Sequence, residues 1–203
     1  MDHSDHVALL KDGIPSAGGE WADLGSGAGA FTLALADLLG PGARLHSVDR
    51  ERGALARQRA AMQSRFPAAD VDYLVADFTG PLPLRSLDGV VMANSLHFVR
   101  RKQPVLSLVR SYLKPGGRLV LVEYDSDRGN PWVPHPLSYR SWERLSTEAG
   151  FQATRLLARV PSRVLGAIYS ALSVRPGEVE GGREHDVTHG GDRLPDDRRG
   201  SAG

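Results

Sequence analysis

Cysteine is absent from the 203 residues, which excludes a disulfide framework, a thiolate metal site and a cysteine nucleophile. Aromatic residues make up only 6% of the chain and the apolar runs are no longer than a strand, so a membrane-spanning helix is not expected. An excess of one charge is lacking too. Lys and Arg number 25 against 24 Asp and Glu, and a formal net charge of +1 supplies no long-range field for capturing nucleic acid or an anionic membrane. Neither partner is therefore expected. What is present, 41% hydrophobic and 24% charged residues, is ordinary globular composition, and 203 residues hold one α/β core with tails rather than two domains. The opening MDHSDHVALLKDG is acidic and polar where a secretory signal is basic and then apolar, so the expected location is the cytoplasm.

Glycine and proline divide the rest into short elements. Residues 2 to 11 predict a helix ended by Gly13-Ile14-Pro15. EWADLG, residues 20 to 25, reads as a strand, and AGAFTLALADLLG as a helix stopped by Gly40-Pro41-Gly42. A second strand, Arg44 to Asp49, leads into a helix with Leu55, Met62 and Phe66 on one stripe. Residues 71 to 77 and 87 to 95 read as further strands, the second apolar on both faces as a central parallel strand should be. Val105, Leu108, Val109 and Tyr112 define the next helix, which Lys114-Pro115-Gly116-Gly117 terminates before the strand RLVLVEY. SYRSWERLSTEAGF predicts a helix ending at Gly150, and residues 152 to 172 two strands meeting near Pro161-Ser162. Right-handed crossovers then predict a Rossmann-like, doubly wound, three-layer α/β sheet over residues 1 to 174, with ligands at the carboxyl ends of its strands. From Arg175 onward there is no aromatic residue and seven of twenty-nine positions are glycine, so residues 175 to 203 read as a disordered tail.

Asp23-Leu24-Gly25-Ser26-Gly27-Ala28-Gly29 joins a predicted strand to a predicted helix, where glycines allow a tight turn and the helix start offers free N–H groups to an anionic moiety. Gly25, Gly27 and Ala30 also satisfy the dinucleotide pattern, with Asp49 about twenty residues on, so the loop alone admits a nicotinamide cofactor. Asp23 tilts the choice, because an acid two residues before the first glycine favours a cationic amino group and repels a pyrophosphate. Asp77-Phe78 adds a carboxylate suited to an exocyclic amine and an aromatic face suited to a flat ring. Asn94-Ser95-Leu96-His97 follows at the end of the fourth strand.

Over residues 5 to 172 this ordered set resembles the class I S-adenosylmethionine-dependent methyltransferases, in particular the compact bacterial kind of the type 11/25 sort. The resemblance implies S-adenosylmethionine as cofactor. It implies that Asp23, Gly25, Ser26, Gly27 and Gly29 surround the methionyl part, that Asp49, followed by Arg50, grips the ribose hydroxyls, and that Asp77 and Phe78 form the adenine site. Asn94, Ser95 and His97 fall on the segment that lines the boundary between cofactor and acceptor. The resemblance also implies a seventh strand, residues 163 to 172, antiparallel between the fifth and sixth.

Several of these residues have a structural rival. Asp49 could cap the helix that starts near Arg50, Asp77 could be a turn residue before Gly80-Pro81, and Phe78 could be core. His97 reads as a general base, an acceptor contact or a hydrogen-bonded strand-end histidine. His3, Asp5 and His6, like His185, Asp186 and His189, read as solvated rather than metal-binding, and no metal is expected. Arg100-Arg101-Lys102 reads as a solvated helix start that would favour an anionic substrate if it bordered the pocket, and the loop Asp125 to Tyr139 should overhang the active face, with Trp132 either touching the acceptor or plugging the structure.

The reaction implied is methyl transfer to a small-molecule acceptor, by a monomer or a homodimer. Its rivals are an NAD(P)-dependent oxidoreductase and a non-catalytic S-adenosylmethionine-binding protein. A sulfonium is already a good leaving group, so alignment matters more than acid-base machinery, although a hydroxyl acceptor gains from a base such as His97. Asp49→Ala is expected to weaken cofactor binding strongly and removal of residues 175 to 203 to leave it nearly unchanged, both measured by calorimetric titration with S-adenosylhomocysteine; equal affinity for Asp49→Ala removes the ribose role.

Overall fold

A computed structural model describes residues 1–177; His185, Asp186 and His189 and nearly all of the expected tail lie outside the described residues. Helix α1 (His3–Leu10) starts with a reciprocal cap, in which the Asp2 carboxylate accepts the Asp5 N–H and the Asp5 carboxylate accepts the Asp2 N–H. His3 pairs with Asp37 at 3.0 Å, so the amino-terminal polar residues are engaged in holding the helix down.

The sheet contains β1 (Glu20–Leu24), β2 (Arg44–Asp49), β3 (Asp70–Val75), β4 (Leu87–Ala93), β5 (Leu113–Tyr124), β6 (Gln152–Ser162) and β7 (Gly166–Val174) in the order β3-β2-β1-β4-β5-β7-β6. The first five strands are parallel, and β7 runs antiparallel between β5 and β6. Alternation along the central strands explains the three layers. Val90 and Met92 of β4 face one core with Leu106 and Val109 of α4 (Lys102–Tyr112) and Trp142 of α5 (Tyr139–Glu148). Val91 and Ala93 face the other, with Leu35 and Leu39 of α2 (Ala30–Leu39) and Met62 of α3 (Arg52–Arg65). Among the described residues no helix is long and apolar enough to cross a membrane.

Three details depart from the expectations. Lys114-Pro115-Gly116-Gly117 does not separate α4 from β5 but lies inside β5, where the pairing with β4 jumps from Leu87–Leu113 to Gly89–Arg118. Such a bulge absorbs the extra residues, and Gly116 accommodates it at φ +76°. Arg175 belongs to the fold: its N–H donates to the Gly117 carbonyl at 2.8 Å, its own carbonyl accepts from Gly116 at 3.0 Å, and its guanidinium reaches the Leu113 carbonyl. The last hairpin turns over residues 163–165, just beyond Pro161-Ser162, because β6 keeps its pairing through Ser162 opposite Gly166.

Gly89 shows how tightly β1 and β4 are fitted. It pairs with Trp21, whose buried ring occupies the space a Cβ at position 89 would need. Gly89→Ala is expected to destabilise the fold by about 1–3 kcal/mol, the usual cost of overpacking a core, read as a lower urea midpoint; an unchanged midpoint would show that the ring can move aside.

Candidate active site

The turn after β1 is shaped by three glycines in the left-handed region, Gly25 at φ +78°, Gly27 at +54° and Gly29 at +90°. Two of them are also places of close approach. A Cβ at Gly25 would come within 2.5 Å of the Ser95 Cβ, and one at Gly29 would run into the Gln58 side chain, whereas Gly27 has open space around it. The loop is pinned to the tip of β2. Gly25 and Ser26 donate to the Val48 carbonyl at 2.8 and 3.0 Å, and Gly27 donates to Asp49 Oδ2 at 2.7 Å. A buried hydroxyl-amide chain, Ser26 to Ser47 at 2.8 Å and Ser47 to Gln58 at 3.0 Å, supports it from below.

Beside the loop lies a cavity of about 310 Å³, in the range that holds small ligands. It brings together Gly25, Gly27, Asp49, Arg50, Asp77, Phe78 and Ser95 from the tips of four different strands. Glu51, Ala54, Ala76, Thr79, Phe98 and Val99 complete its lining and were not singled out from the sequence, since none carries a motif. Asp49 does not cap α3, whose N-cap Glu51 makes no side-chain cap bond. It both braces the backbone and lines the cavity: Oδ1 accepts the Glu51 N–H at 2.8 Å while Oδ2 holds Gly27. Asp77 does the same. Its Oδ1 accepts the backbone N–H and hydroxyl of Thr79 at 2.9 and 2.7 Å, and those bonds, the backbone one foremost, hold its carboxyl below the ordinary aspartate range. Phe78 is half-buried, packed on the core below and open to the cavity above.

Asp23, Ser26, Gly29, Asn94 and His97 do not line the cavity. Asp23 is buried. Its Oδ2 accepts the Thr32 hydroxyl at 2.6 Å, and its Oδ1 is buried with no partner among the described residues. Asn94 adopts φ +52°, unusual for a residue with a Cβ, and its Oδ1 is likewise buried and unpartnered. Ser95 donates to the Leu24 carbonyl at 2.7 Å and so joins the tips of β4 and β1.

His97 is fixed by a residue that sequence reading missed. Glu123, fully buried near the end of β5, meets His97 Nδ1 at 2.9 Å and accepts the His97 backbone N–H at 3.0 Å. Toward a carboxylate, which only accepts, Nδ1 is the donor, and Nε2 is the ring nitrogen outside that bond. The Phe98 ring, part of the cavity wall, lies 4.3 Å from the imidazole, and the Tyr124 ring 5.8 Å away. Lys102 is not the solvated residue its neighbours suggested. Its ammonium donates to the carbonyls of Val99 at 2.9 Å and His135 at 2.7 Å, burial lowers its pKa, and Glu123 opposes that shift. The one signal for Glu123 was a glutamate at an otherwise apolar strand position in RLVLVEY.

Comparison with known proteins adds to this geometry. The family model described as a methyltransferase domain matches residues 22–119. A ubiquinone/menaquinone biosynthesis C-methyltransferase of Ectopseudomonas mendocina (strain ymp) is 32% identical over 110 residues, which cover 54% of this chain and 43% of that protein. The chain thus spans less than half the length of that relative. A SAM-dependent methyltransferase from Aquifex aeolicus superposes with a TM-score of 0.65 at 18% identity, covering 86% of this chain and 98% of that one. A Haemonchus contortus phosphoethanolamine N-methyltransferase, solved with S-adenosylhomocysteine, gives a TM-score of 0.69 at 16% identity, covering 85% of this chain and 52% of its own. At such identities the solved structures establish a shared fold.

Burial raises the pKa of Asp23 to about 7, the Thr32 bond opposing and the neighbouring Asp49 charge adding to the rise. Because the folded-state value lies above the unfolded 3.8, the protonated form stabilises the fold fully below about pH 4, and that contribution is lost as pH rises toward 7. The ligand-free protein is therefore expected to lose urea stability over that window, and Asp23→Asn to remove the loss; an identical pH profile for Asp23→Asn would show that Asp23 is not the group responsible.

Proposed function

We propose that the chain is a class I S-adenosylmethionine-dependent methyltransferase, as its match to a methyltransferase domain over residues 22–119 supports, and that it transfers a methyl group to a small-molecule acceptor whose reacting atom gives up a proton to His97. One observation carries the cofactor half of this reading. The cavity is ringed by Asp49 and Asp77, and Asp23 holds a buried carboxylate oxygen that has no partner among the described residues. That lining suits a cationic aminoacyl nucleoside and repels a diphosphate, which argues against a nicotinamide cofactor.

The residues fit the group one by one. Asp23 Oδ1 supplies the acceptor that an α-ammonium needs, and the free N–H groups at the start of α2 suit the accompanying carboxylate. Asp49 keeps unused lone pairs on both oxygens for two ribose hydroxyls, even while it holds the Glu51 and Gly27 N–H groups. Asp77 retains Oδ2 for an exocyclic amine, and Phe78 offers its exposed face to the base. When bound, S-adenosylmethionine supplies an electrophilic methyl on a sulfonium that leaves readily. The protein's work is then to align the acceptor and to receive its proton.

We assign that proton to His97 Nε2, whose ring packs against Phe98 of the cavity wall. Glu123 fixes the tautomer and orientation of the ring and balances the charge that the imidazole gains. A nitrogen acceptor has a lone pair ready and needs little of this, whereas a hydroxyl or an acidic carbon must be deprotonated. The relative from Ectopseudomonas mendocina is named a C-methyltransferase, which accords with an acceptor of that kind.

Calorimetry with S-adenosylhomocysteine and, separately, NAD tests the cofactor; binding of NAD alone would overturn the assignment. Transfer of a labelled methyl group across a panel of phenols and acidic carbon compounds tests the acceptor. His97→Ala is expected to lower turnover by about 10²–10⁴-fold, the usual range for a general base, while S-adenosylhomocysteine affinity stays unchanged. Unaltered turnover in that variant would remove His97 from the chemistry.

A further inference from the structure

Three segments at one end of the molecule hold large apolar side chains out in water. Phe98, after β4, is 62% exposed; Trp132, in the loop after β5, is 77% exposed; Val164, in the β6–β7 turn, is 50% exposed. All three stand at the carboxyl ends of the parallel strands. The turn joins them because β7 runs antiparallel to β5, with Ile168 opposite Tyr124, so that its start lies beside the end of β5. Each tip also carries exposed arginine: Arg100 and Arg101 with Phe98, Arg128 with Trp132, and Arg163 with Val164. Residues 98–104, 128–136 and 160–168 contain no acidic side chain.

The Trp132 tip is braced in this position. Asn130 Oδ1 accepts the N–H groups of Trp132 and Val133 at 3.0 and 2.9 Å, and Pro131, Pro134 and Pro136 stiffen the flanks. His135 donates its N–H to the His97 carbonyl at 3.0 Å, and Lys102 ties the same stretch down through the His135 carbonyl. Trp132 is therefore neither a plug nor a side chain of a slack loop.

We propose that this end is a docking face for an anionic lipid bilayer, with Trp132, Phe98 and Val164 entering the headgroup region and the four arginines meeting lipid phosphates. Tryptophan and phenylalanine beside arginine are the side chains that partition to such an interface. The formal net charge of +1 does not oppose this, since charges farther apart than about 8 Å are screened at physiological salt and only the local surface counts. Phe98 also lines the cavity, so docking sets the cavity mouth against the lipid. The face docks whether or not the cavity turns over a methyl group.

Sedimentation of the full chain with vesicles of phosphatidylcholine containing phosphatidylglycerol, against vesicles of phosphatidylcholine alone, tests the proposal. Binding to the anionic vesicles is expected, weakening with salt and falling by about fivefold for each arginine neutralised, from the roughly 1 kcal/mol that a basic residue gains near such a surface. Trp132→Ala and the double variant Arg128→Glu, Arg163→Glu should lose binding while S-adenosylhomocysteine affinity, the check on folding, is unchanged. Fluorescence reads the anchor directly. Of the three tryptophans, Trp21 and Trp142 are buried, so a blue shift on adding anionic vesicles reports Trp132. Wild-type protein left in the supernatant at low salt, or undiminished binding of Trp132→Ala, would overturn the proposal. Self-association that depends on Trp132 without vesicle binding would do so too, by giving the face to a second copy.

Discussion

The strand order reverses at β1, which has β2 on one side and β4 on the other. Crossovers from such a strand depart toward opposite faces of the sheet, so the loops after β1 and β4 diverge and a crevice opens at their carboxyl ends. Every part of the candidate site hangs from that crevice by a hydrogen bond between strand tips. The glycine loop after β1 hangs from Val48 and Asp49 of β2, Ser95 after β4 hangs from Leu24 of β1, and His97 hangs from Glu123 of β5. Slipping one strand by a residue would turn alternate side chains to the wrong face and break all of these at once. Packing and site geometry are thus one constraint.

Two carboxylates in the interior are set in opposite ways. Glu123 is saturated: the ring and backbone of His97 both meet it, and the partly buried Lys102 lends positive charge nearby. Asp23 is starved, with one hydroxyl donor and one orphaned oxygen, and burial raises its pKa to about 7. A buried carboxylate with several donors orients what it touches, whereas one with few donors is costly to ionise. The first belongs beside a group that must keep its tautomer.

The carboxyl ends of the strands also carry the exposed tips that bear Phe98 and Trp132, and the braces are shared. The Lys102 ammonium and the His135 N–H that hold the Trp132 loop also hold the short turn carrying His97 and Phe98. The outer tip and the cavity wall are thus tied together by a few hydrogen bonds.

Sequence alone determined the local matters: the β-α alternation, the glycine turn after β1, and the acids Asp49 and Asp77 at strand tips. These follow from side-chain period and turn chemistry within a few residues, and the cavity assembles Gly25, Gly27, Asp49, Arg50, Asp77, Phe78 and Ser95 accordingly. It also left Asp49 divided between capping and binding and Asp77 between turn and binding, and the tertiary structure gives each a bond to the backbone two residues on and a place in the cavity wall, because a carboxylate has enough lone pairs for both. Only the tertiary structure decided that Glu123 faces His97, 26 residues away in sequence, that Lys102 turns inward while Arg100 and Arg101 stay out, and that Arg175 extends the sheet. Each of these depends on which residues of neighbouring strands stand opposite one another, and that register is fixed by how two cores close around the sheet, which no window of the chain contains.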